Sequence, residues 1–147
     1  RSTRGQTRRW LQDWAIYYYR LALKQDPANY DSHFQLALLY QAQEEFDRAA
    51  RHYCQAIAAW PSSYEVHYNL GLTLVELGHF DPGVRQLNTA IQLLRKQDRM
   101  ADAQSLAESA QGVKNSILEG TPTQLPLPVG VTTDCLSADN LELGNAD

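Results

Sequence analysis

The chain has 147 residues, of which 44% are hydrophobic and 20% are charged, so it is long enough to bury the core of one domain. Its formal net charge of −4 gives no overall reason to expect nucleic acid as a partner, and no apolar run is long enough to cross a bilayer. Two cysteines, Cys54 and Cys135, lie far apart and match no metal or redox spacing, which favours a reducing compartment.

The first predicted helix covers about residues 8–25 and is unusually rich in aromatic residues. It carries the sequence RRWLQDWAIYYYRLALK, and we expect its large rings to cover a face that a preceding helix would otherwise occupy. An exposed aromatic face favours contact with a partner. A second interface is therefore predicted at four aromatic residues, Trp10, Trp14, Tyr17 and Tyr18.

The charge of the chain is uneven, because residues 1–9 hold four arginines and no acid. Basic side chains followed by a tryptophan suit an anionic membrane surface, and the alternative is a solvated basic end. Since the sequence starts with arginine rather than methionine, we expect it to be a piece of a longer or processed protein. The residues of this membrane-surface hypothesis are Arg1, Arg4, Arg8 and Arg9.

The next four predicted helices, at about 30–43, 46–59, 64–77 and 80–96, arise from a repeat of about 34 residues. Small residues share the same register, and Pro27 and Pro61 each follow a second helix, which proline cannot continue. Residues 28–61 align on residues 62–95 with nine identities: Tyr30/Tyr64, His33/His67, Leu36/Leu70, Leu38/Leu72, Phe46/Phe80, Asp47/Asp81, Arg51/Arg85, Ala56/Ala90 and Ile57/Ile91.

This pattern resembles the tetratricopeptide repeat family, whose unit is a pair of antiparallel helices in about 34 residues. The resemblance covers roughly residues 10–95 and implies an all-α, right-handed α-solenoid of helix-turn-helix repeats. The sequence departs from the family pattern at His33 and His67, which replace a large aromatic residue, and at Arg95, which replaces a closing proline. The predicted repeat domain covers 8–119, with a partial repeat at 8–27, full repeats at 28–61 and 62–95, and a capping helix at 99–119.

The end of the chain, at 120–147, is a predicted irregular tail that contains three prolines and three glycines and has no periodicity. We expect a flexible or extended tail. The alternative is that the sequence LPLPV at 125–129, which is preset toward an extended conformation, docks on the protein itself and blocks its binding groove.

The sequence contains no Gly-rich phosphate loop, no His-Glu metalloprotease spacing and no nucleophile elbow. His33 and His67 occupy equivalent repeat positions, but a packed or hydrogen-bonded histidine is far more common than a metal site of two ligands. We therefore predict no catalytic, metal or cofactor site, and we expect that the protein is not an enzyme.

The resemblance implies that the first helix of each pair lines a concave groove that binds a partner segment. The carboxylate clamp of the members that bind heat-shock chaperones is incomplete, because Phe34 and Leu38 stand where lysine and asparagine would be required. A hydrophobic or basic extended segment is the expected ligand. The groove residues carried over from the family are Asp31, Phe34, Gln35, Leu38, Gln41, Glu65, Tyr68, Asn69, Leu72, Glu76 and Arg99.

The leading functional hypothesis is a protein-interaction module, an adaptor or assembly factor that holds a partner peptide in this groove. The alternative is a structural subunit of a stable complex, membrane-associated or not, in which the aromatic first helix and the tail are the interfaces. Protein or peptide partners are expected, and nucleic acid is not. The expected location is the cytoplasm, or the cytoplasmic or stromal-type face of a membrane.

Overall fold

The computed structural model describes residues 3–122, 126–131 and 135, so Arg1 and Leu125 of the sequence predictions lie outside the described residues. This part of the chain contains no strand, and the prediction of an all-α helical-repeat fold is confirmed. The helices are α1 (Thr3–Gln25), α2 (Tyr30–Ala42), α3 (Phe46–Ala59), α4 (Tyr64–Glu76), α5 (Phe80–Lys96) and α6 (Met100–Ile117).

The helix ends follow local chemistry. The Asn29 side chain accepts a hydrogen bond from the Ser32 backbone N–H at 2.8 Å and so caps the start of α2. Positive φ angles of 59° at Glu44, 84° at Gly78 and 57° at Asp98 end α2, α4 and α5 with a left-handed residue. The one clear difference from the sequence prediction is α1, which begins at Thr3 rather than near residue 8, so the described arginines of the basic segment are helical.

Consecutive helices pack on one another along the whole array, and the contacts are densest between α2 and α3 and between α4 and α5. Small residues allow this close approach, as their shared register predicts. A Cβ atom added at Gly71 would lie only 2.8 Å from the Gly83 carbonyl oxygen, so the backbones of α4 and α5 nearly touch. Ala37 and Ala49, which are fully buried, occupy the same positions in the preceding pair.

The core consists of two groups of buried residues. The first cluster joins α2, α3 and α4 and includes Leu36, Tyr53, Ile57 and Leu70, with Ile16, Tyr19 and Leu23 of α1 packed against it. The second cluster joins α5 and α6 and consists of Leu87, Ile91, Leu94, Ala103 and Ala110. The solenoid is thus held by contacts between neighbouring helices.

The described part of the tail contacts the helical array. Residues 128–131 form a turn in which the Val131 backbone N–H donates to the Pro128 carbonyl at 3.0 Å, and Gly130 has the positive φ of 88° that the third residue of a type II turn requires. Val131 is only 5% exposed and belongs to the first cluster, while Gly130 lies against the side chain of Arg51 on α3.

Cys54 of α3 and Cys135 of the tail form a disulfide, with their Cα atoms 5.4 Å apart. The sequence analysis did not pair these cysteines, because a separation of 81 residues leaves no local signal. Disulfides form and persist in oxidising compartments, so the bond weighs against the reducing compartment that the cysteine pattern favoured. The location itself stays a prediction.

Candidate functional site

The predicted groove residues of α2 combine partial burial with ordered side chains. Phe34 and Leu38 are half-buried against the first cluster. The Phe34 ring stacks on Tyr30 at 5.8 Å between centroids and meets the edge of Tyr53 at 6.2 Å. The Tyr53 hydroxyl donates to the side-chain oxygen of Gln41, and burial raises the pKa of Tyr53, so this donor keeps its proton. The Phe34 ring is thus packed between Tyr30 and Tyr53.

The equivalent residues of α4 behave in the same way. Tyr68 and Leu72 are half-buried and pack against the second cluster. The Asn69 amide donates to the Glu65 carbonyl at 2.9 Å, so one of its hydrogens is engaged within its own helix. Half-buried apolar and amide side chains thus make up most of the predicted groove, and Gln35 is also half-buried. The exposed members of the set are its three acids, Asp31, Glu65 and Glu76, together with Arg99.

Arg99, just before α6, is engaged by its neighbours. Its Nε–H donates to the Asp102 carboxylate at 2.9 Å, and its guanidinium lies over the Tyr64 ring, 4.9 Å from the centroid. Two interactions orient this cation at the start of the capping helix, although it is exposed. A basic residue therefore lies beside α4, as one position of a carboxylate clamp would need. Phe34 and Leu38 occupy clamp positions where lysine and asparagine would be required.

The aromatic residues of α1 form a second surface. The Trp14 ring lies 5.8 Å from Trp10 and stacks at 5.5 Å on Tyr18, while Tyr17 meets its edge at 6.2 Å. All four side chains are exposed, and α1 contains no fully buried residue. Large exposed rings of this kind are typical of contact surfaces, and their role as an interface stays a prediction.

The basic residues of α1 extend this surface toward the N-terminus. Arg4, Arg8 and Arg9 are exposed, and the last two line a shallow cleft with Gln12 and Gln43. No helix of the described chain combines the length and the apolar character that a membrane crossing demands. Contact of these arginines with a membrane surface stays a prediction.

Among the described tail residues, Leu127 and Val131 pack in the first cluster, and two further contacts are with a single helix. Gly130 lies beside Arg51, and Cys135 is bonded to Cys54, so both contacts are with α3, the second helix of its pair. The described tail residues therefore give no support to the hypothesis that the tail blocks the groove on α2 and α4.

The sequence analysis missed a pair of equivalent hydrogen-bond arrays. The His33 Nε2–H donates to the Pro27 carbonyl at 2.7 Å, and the His67 Nε2–H donates to the Pro61 carbonyl at the same distance. The other ring nitrogen of each histidine faces the second helix of its pair, His52 Nδ1 at 3.0 Å in one case and Gln86 Oε1 at 2.7 Å in the other.

Each histidine thus ties the end of the preceding second helix to the second helix of its own pair. The repeat register could have predicted these contacts, because positions 52 and 86 are one repeat length apart, as positions 33 and 67 are. Burial, followed by the charges of His33, Arg51 and Arg20, lowers the pKa of His52 to about 4, so it is neutral at pH 7. No group of three or more metal-ligating side chains occurs in the described residues.

Comparison with known proteins agrees with this repeat geometry. Residues 18–51 match the family model of the tetratricopeptide repeat. The match starts in the second half of α1, includes all of α2 and ends within α3. No curated protein is similar enough to match the chain.

Proposed function

Because the chain is a tetratricopeptide repeat protein, and such repeats generally serve as protein-interaction modules, we propose that it is a non-enzymatic adaptor or assembly factor. Its ligand is an extended segment of a partner protein, bound along α2, α4 and the start of α6. The preferred segment alternates apolar side chains with basic ones.

The observation that supports this proposal is the row of half-buried apolar side chains beside exposed acids. Phe34 and Leu38 on α2 and Tyr68 and Leu72 on α4 occupy equivalent positions of the two repeats. Side chains already fixed by the core lose little conformational entropy when a ligand binds, which favours affinity. Basic residues of the ligand would meet Glu65 and Glu76.

The experiment measures binding of a fluorescein-labelled peptide with alternating leucine and lysine residues by fluorescence anisotropy. We expect Tyr68→Ala to weaken binding by more than about tenfold, and far-ultraviolet circular dichroism should show that the variant is still folded although it loses some core packing. Gln104→Ala, an exposed change on α6, is the matched control and should leave binding unchanged. Equal affinities of the parent and the Tyr68→Ala variant would refute the groove.

A structural subunit of a stable complex is the second candidate function, and the exposed aromatic surface of α1 favours it. A permanent subunit contact buries well over about 1,000 Å², and a chain that lacks its partner then tends to self-associate. Size-exclusion chromatography with light scattering separates the two functions. A clean monomer favours the adaptor, and concentration-dependent association favours the subunit.

A further inference from the structure

A surface cleft of about 470 Å³ lies between α1 and α3, and its lining is strongly basic. Arg20 comes from α1, while Arg48 and Arg51 come from α3, and no described acid lines the cleft. Most of the lining residues are exposed, so the cleft is open to solvent. A further polar side chain, Gln55, and Gly130 of the tail turn also line it.

The architecture of the repeat does not require this cluster of arginines. One repeat length later, only one of the three equivalent positions is basic. The chain as a whole carries a net charge of −4, so basic residues are not abundant enough to collect at one place by composition alone. The local positive charge is therefore a particular feature of the α1–α3 cleft. The residues at the equivalent positions are Cys54, Pro82 and Arg85.

Two of the three arginines are not neutralised by a neighbouring acid. Arg48 forms an ion pair with Glu45 at 3.1 Å, whereas neither Arg20 nor Arg51 has an ion pair with any described residue. Burial is the largest cause of the lowered pKa of His52, and the charges of Arg51 and Arg20 add to it. Both guanidinium groups thus raise the electrostatic potential at the same imidazole ring, which favours an anion there.

The arginines of α3 are positioned by their neighbours. The Arg48 guanidinium lies over the Tyr40 ring, 5.6 Å from its centroid. The stem of Arg51 lies against the tail turn, since a Cβ atom added at Gly130 would be 3.2 Å from Arg51 Cγ and 3.3 Å from Arg51 Cδ. The disulfide joins the tail to the same helix, so the tail turn supports one side of the cleft.

The cleft does not lie on the face of α1 that a first helix would cover. On α3 that face holds His52, which is bonded to His33 of α2, and the equivalent residue on α1 is Tyr18. Arg20 is two residues further along and so points roughly 200° away from Tyr18 around the helix axis. A helix paired with α1 as α2 is paired with α3 would therefore leave Arg20 accessible.

The charge and the shape of the cleft indicate the kind of anion. Guanidinium groups donate paired hydrogen bonds to phosphate or carboxylate oxygens, and a phosphate monoester carries about two negative charges at pH 7 where a carboxylate carries one. Several cations at one site therefore favour phosphate. Sites for small molecules bury most of the ligand, which this open cleft would not do. A phosphorylated side chain gains further contacts from the residues that flank it in its own chain.

We propose that the cleft between α1 and α3 binds a phosphorylated side chain of a partner protein. Arg20 and Arg51 donate to the phosphate oxygens, and Arg48 is the third cation of the site. This surface differs from the groove along α2 and α4, and the inference does not depend on the proposed function.

The test uses the full chain and a fluorescein-labelled peptide in which glycine and serine residues flank one phosphoserine. Fluorescence anisotropy measures its affinity. We expect the phosphopeptide to bind more than about tenfold more tightly than the same peptide with unmodified serine. Inorganic phosphate should displace the phosphopeptide, and sodium chloride at the same ionic strength should displace it less.

Variants of the protein locate the site. Arg20→Gln and Arg51→Gln should each weaken phosphopeptide binding more than about tenfold. Arg9→Gln on α1 and Arg85→Gln on α5 remove the same charge at exposed positions outside the cleft, and they should change binding less than about threefold. Glutamine keeps the Cβ, Cγ and Cδ atoms with which Arg51 meets Gly130, so far-ultraviolet circular dichroism should show intact helices.

Two results would overturn the proposal directly. One is equal affinity for the phosphorylated and the unmodified peptide, and the other is an equal loss of affinity in the cleft variants and the control variants. Tyr68→Ala should have no effect, and a loss of phosphopeptide binding in this variant would place the phosphate in the groove.

Two further results would assign the cleft to another anion and so refute a phosphorylated partner. Vesicles of phosphatidylcholine and phosphatidic acid could bind the parent but not Arg51→Gln, while the phosphopeptide does not bind. The occupant would then be a membrane. Phosphopeptide binding that requires the loss of acids from the tail would make the tail of the chain the occupant. The changes that test this are Asp134→Asn, Asp139→Asn and Glu142→Gln.

Discussion

His33 and His52 meet through their Nδ1 atoms at 3.0 Å, which links α2 to α3 by a hydrogen bond between two imidazole rings. The His33 Nε2–H donates to the Pro27 carbonyl, so when this ring carries one proton its Nδ1 accepts from the His52 Nδ1–H. A second proton on His52 would place a charge beside Arg51 and Arg20 in a partly desolvated site.

The first prediction is that stability falls as the solution becomes acidic, and that His52 causes part of the loss. The pKa of His52 is lowered from 6.5 to about 4 in the folded protein, so the unfolded chain binds the proton more readily. The contribution of His52 is complete above about pH 6.5 and is lost as the pH falls toward 4. Urea unfolding at pH 7 and pH 4.5 measures the difference.

His52→Gln is the matched control for this prediction, because the next repeat already carries Gln86 at the equivalent position opposite His67. We expect the variant to fold and to lose less stability than the parent between the two pH values. If the parent and the variant lose the same free energy of unfolding between pH 7 and pH 4.5, groups other than His52 cause the pH dependence.

The second prediction concerns the close contact of α3 with its partner helix. Ala56 is fully buried, so Ala56→Leu should overpack the interface and cost about 1–3 kcal/mol in the free energy of unfolding. Ala58→Leu adds the same atoms on the exposed side of the same helix and should cost almost nothing. Equal stability of the two variants in chemical denaturation would show that the helix register is wrong.

The third prediction compares two helical glycines. A Cβ at Gly71 would meet the Gly83 carbonyl oxygen at 2.8 Å and Leu87 Cδ2 at 2.9 Å, so Gly71→Ala should force α4 away from α5 and destabilise the protein. Nothing lies within 4 Å of a Cβ at Gly112 of α6. Gly112→Ala should therefore stabilise α6 by up to about 1 kcal/mol. Thermal melting of both variants provides the measurement, and shifts of the same sign would contradict the packing.

The fourth prediction concerns the bond between α3 and the tail. Cys135→Ser should lower the free energy of unfolding by about 2–4 kcal/mol, because the disulfide restricts the unfolded chain. The parent should lose a similar amount in dithiothreitol, whereas the variant should not respond to it. Cys54 is 4% exposed, so we expect its reduction to be slow without denaturant. If the parent melts identically with and without reductant, the disulfide does not stabilise the fold.

The repeat explains which parts of the fold could be predicted from sequence. In a solenoid each helix contacts mainly its neighbours in the chain, so the spacing of residues such as Tyr53 and Ala56 defines both a helix and its contacts. Five of the six helices consequently begin and end close to the predicted residues. The start of α1 was misjudged, because an arginine-rich segment with no apolar stripe gives no periodic signal.

Other features could not be predicted for equally physical reasons. The turn at Pro128–Val131 and its contact with the first cluster depend on distant residues, and an aperiodic tail carries no register. The position of Arg99 over Tyr64 depends on side-chain rotamers. The register of the repeat was enough to predict the residues of the candidate groove. The exposed fraction of each side chain depends on the three-dimensional packing and could not be predicted from the register.

The disulfide between Cys54 and Cys135 also makes the segment between them a covalently closed ring that contains α4, α5 and α6. A protease that cuts this ring once opens it without releasing a fragment, since the two pieces remain joined through sulfur. A nicked molecule would run as a single band on a non-reducing gel and separate only after reduction. Proteolytic removal of the turn at residues 128–131 therefore needs two cleavages, or one cleavage and a reductant.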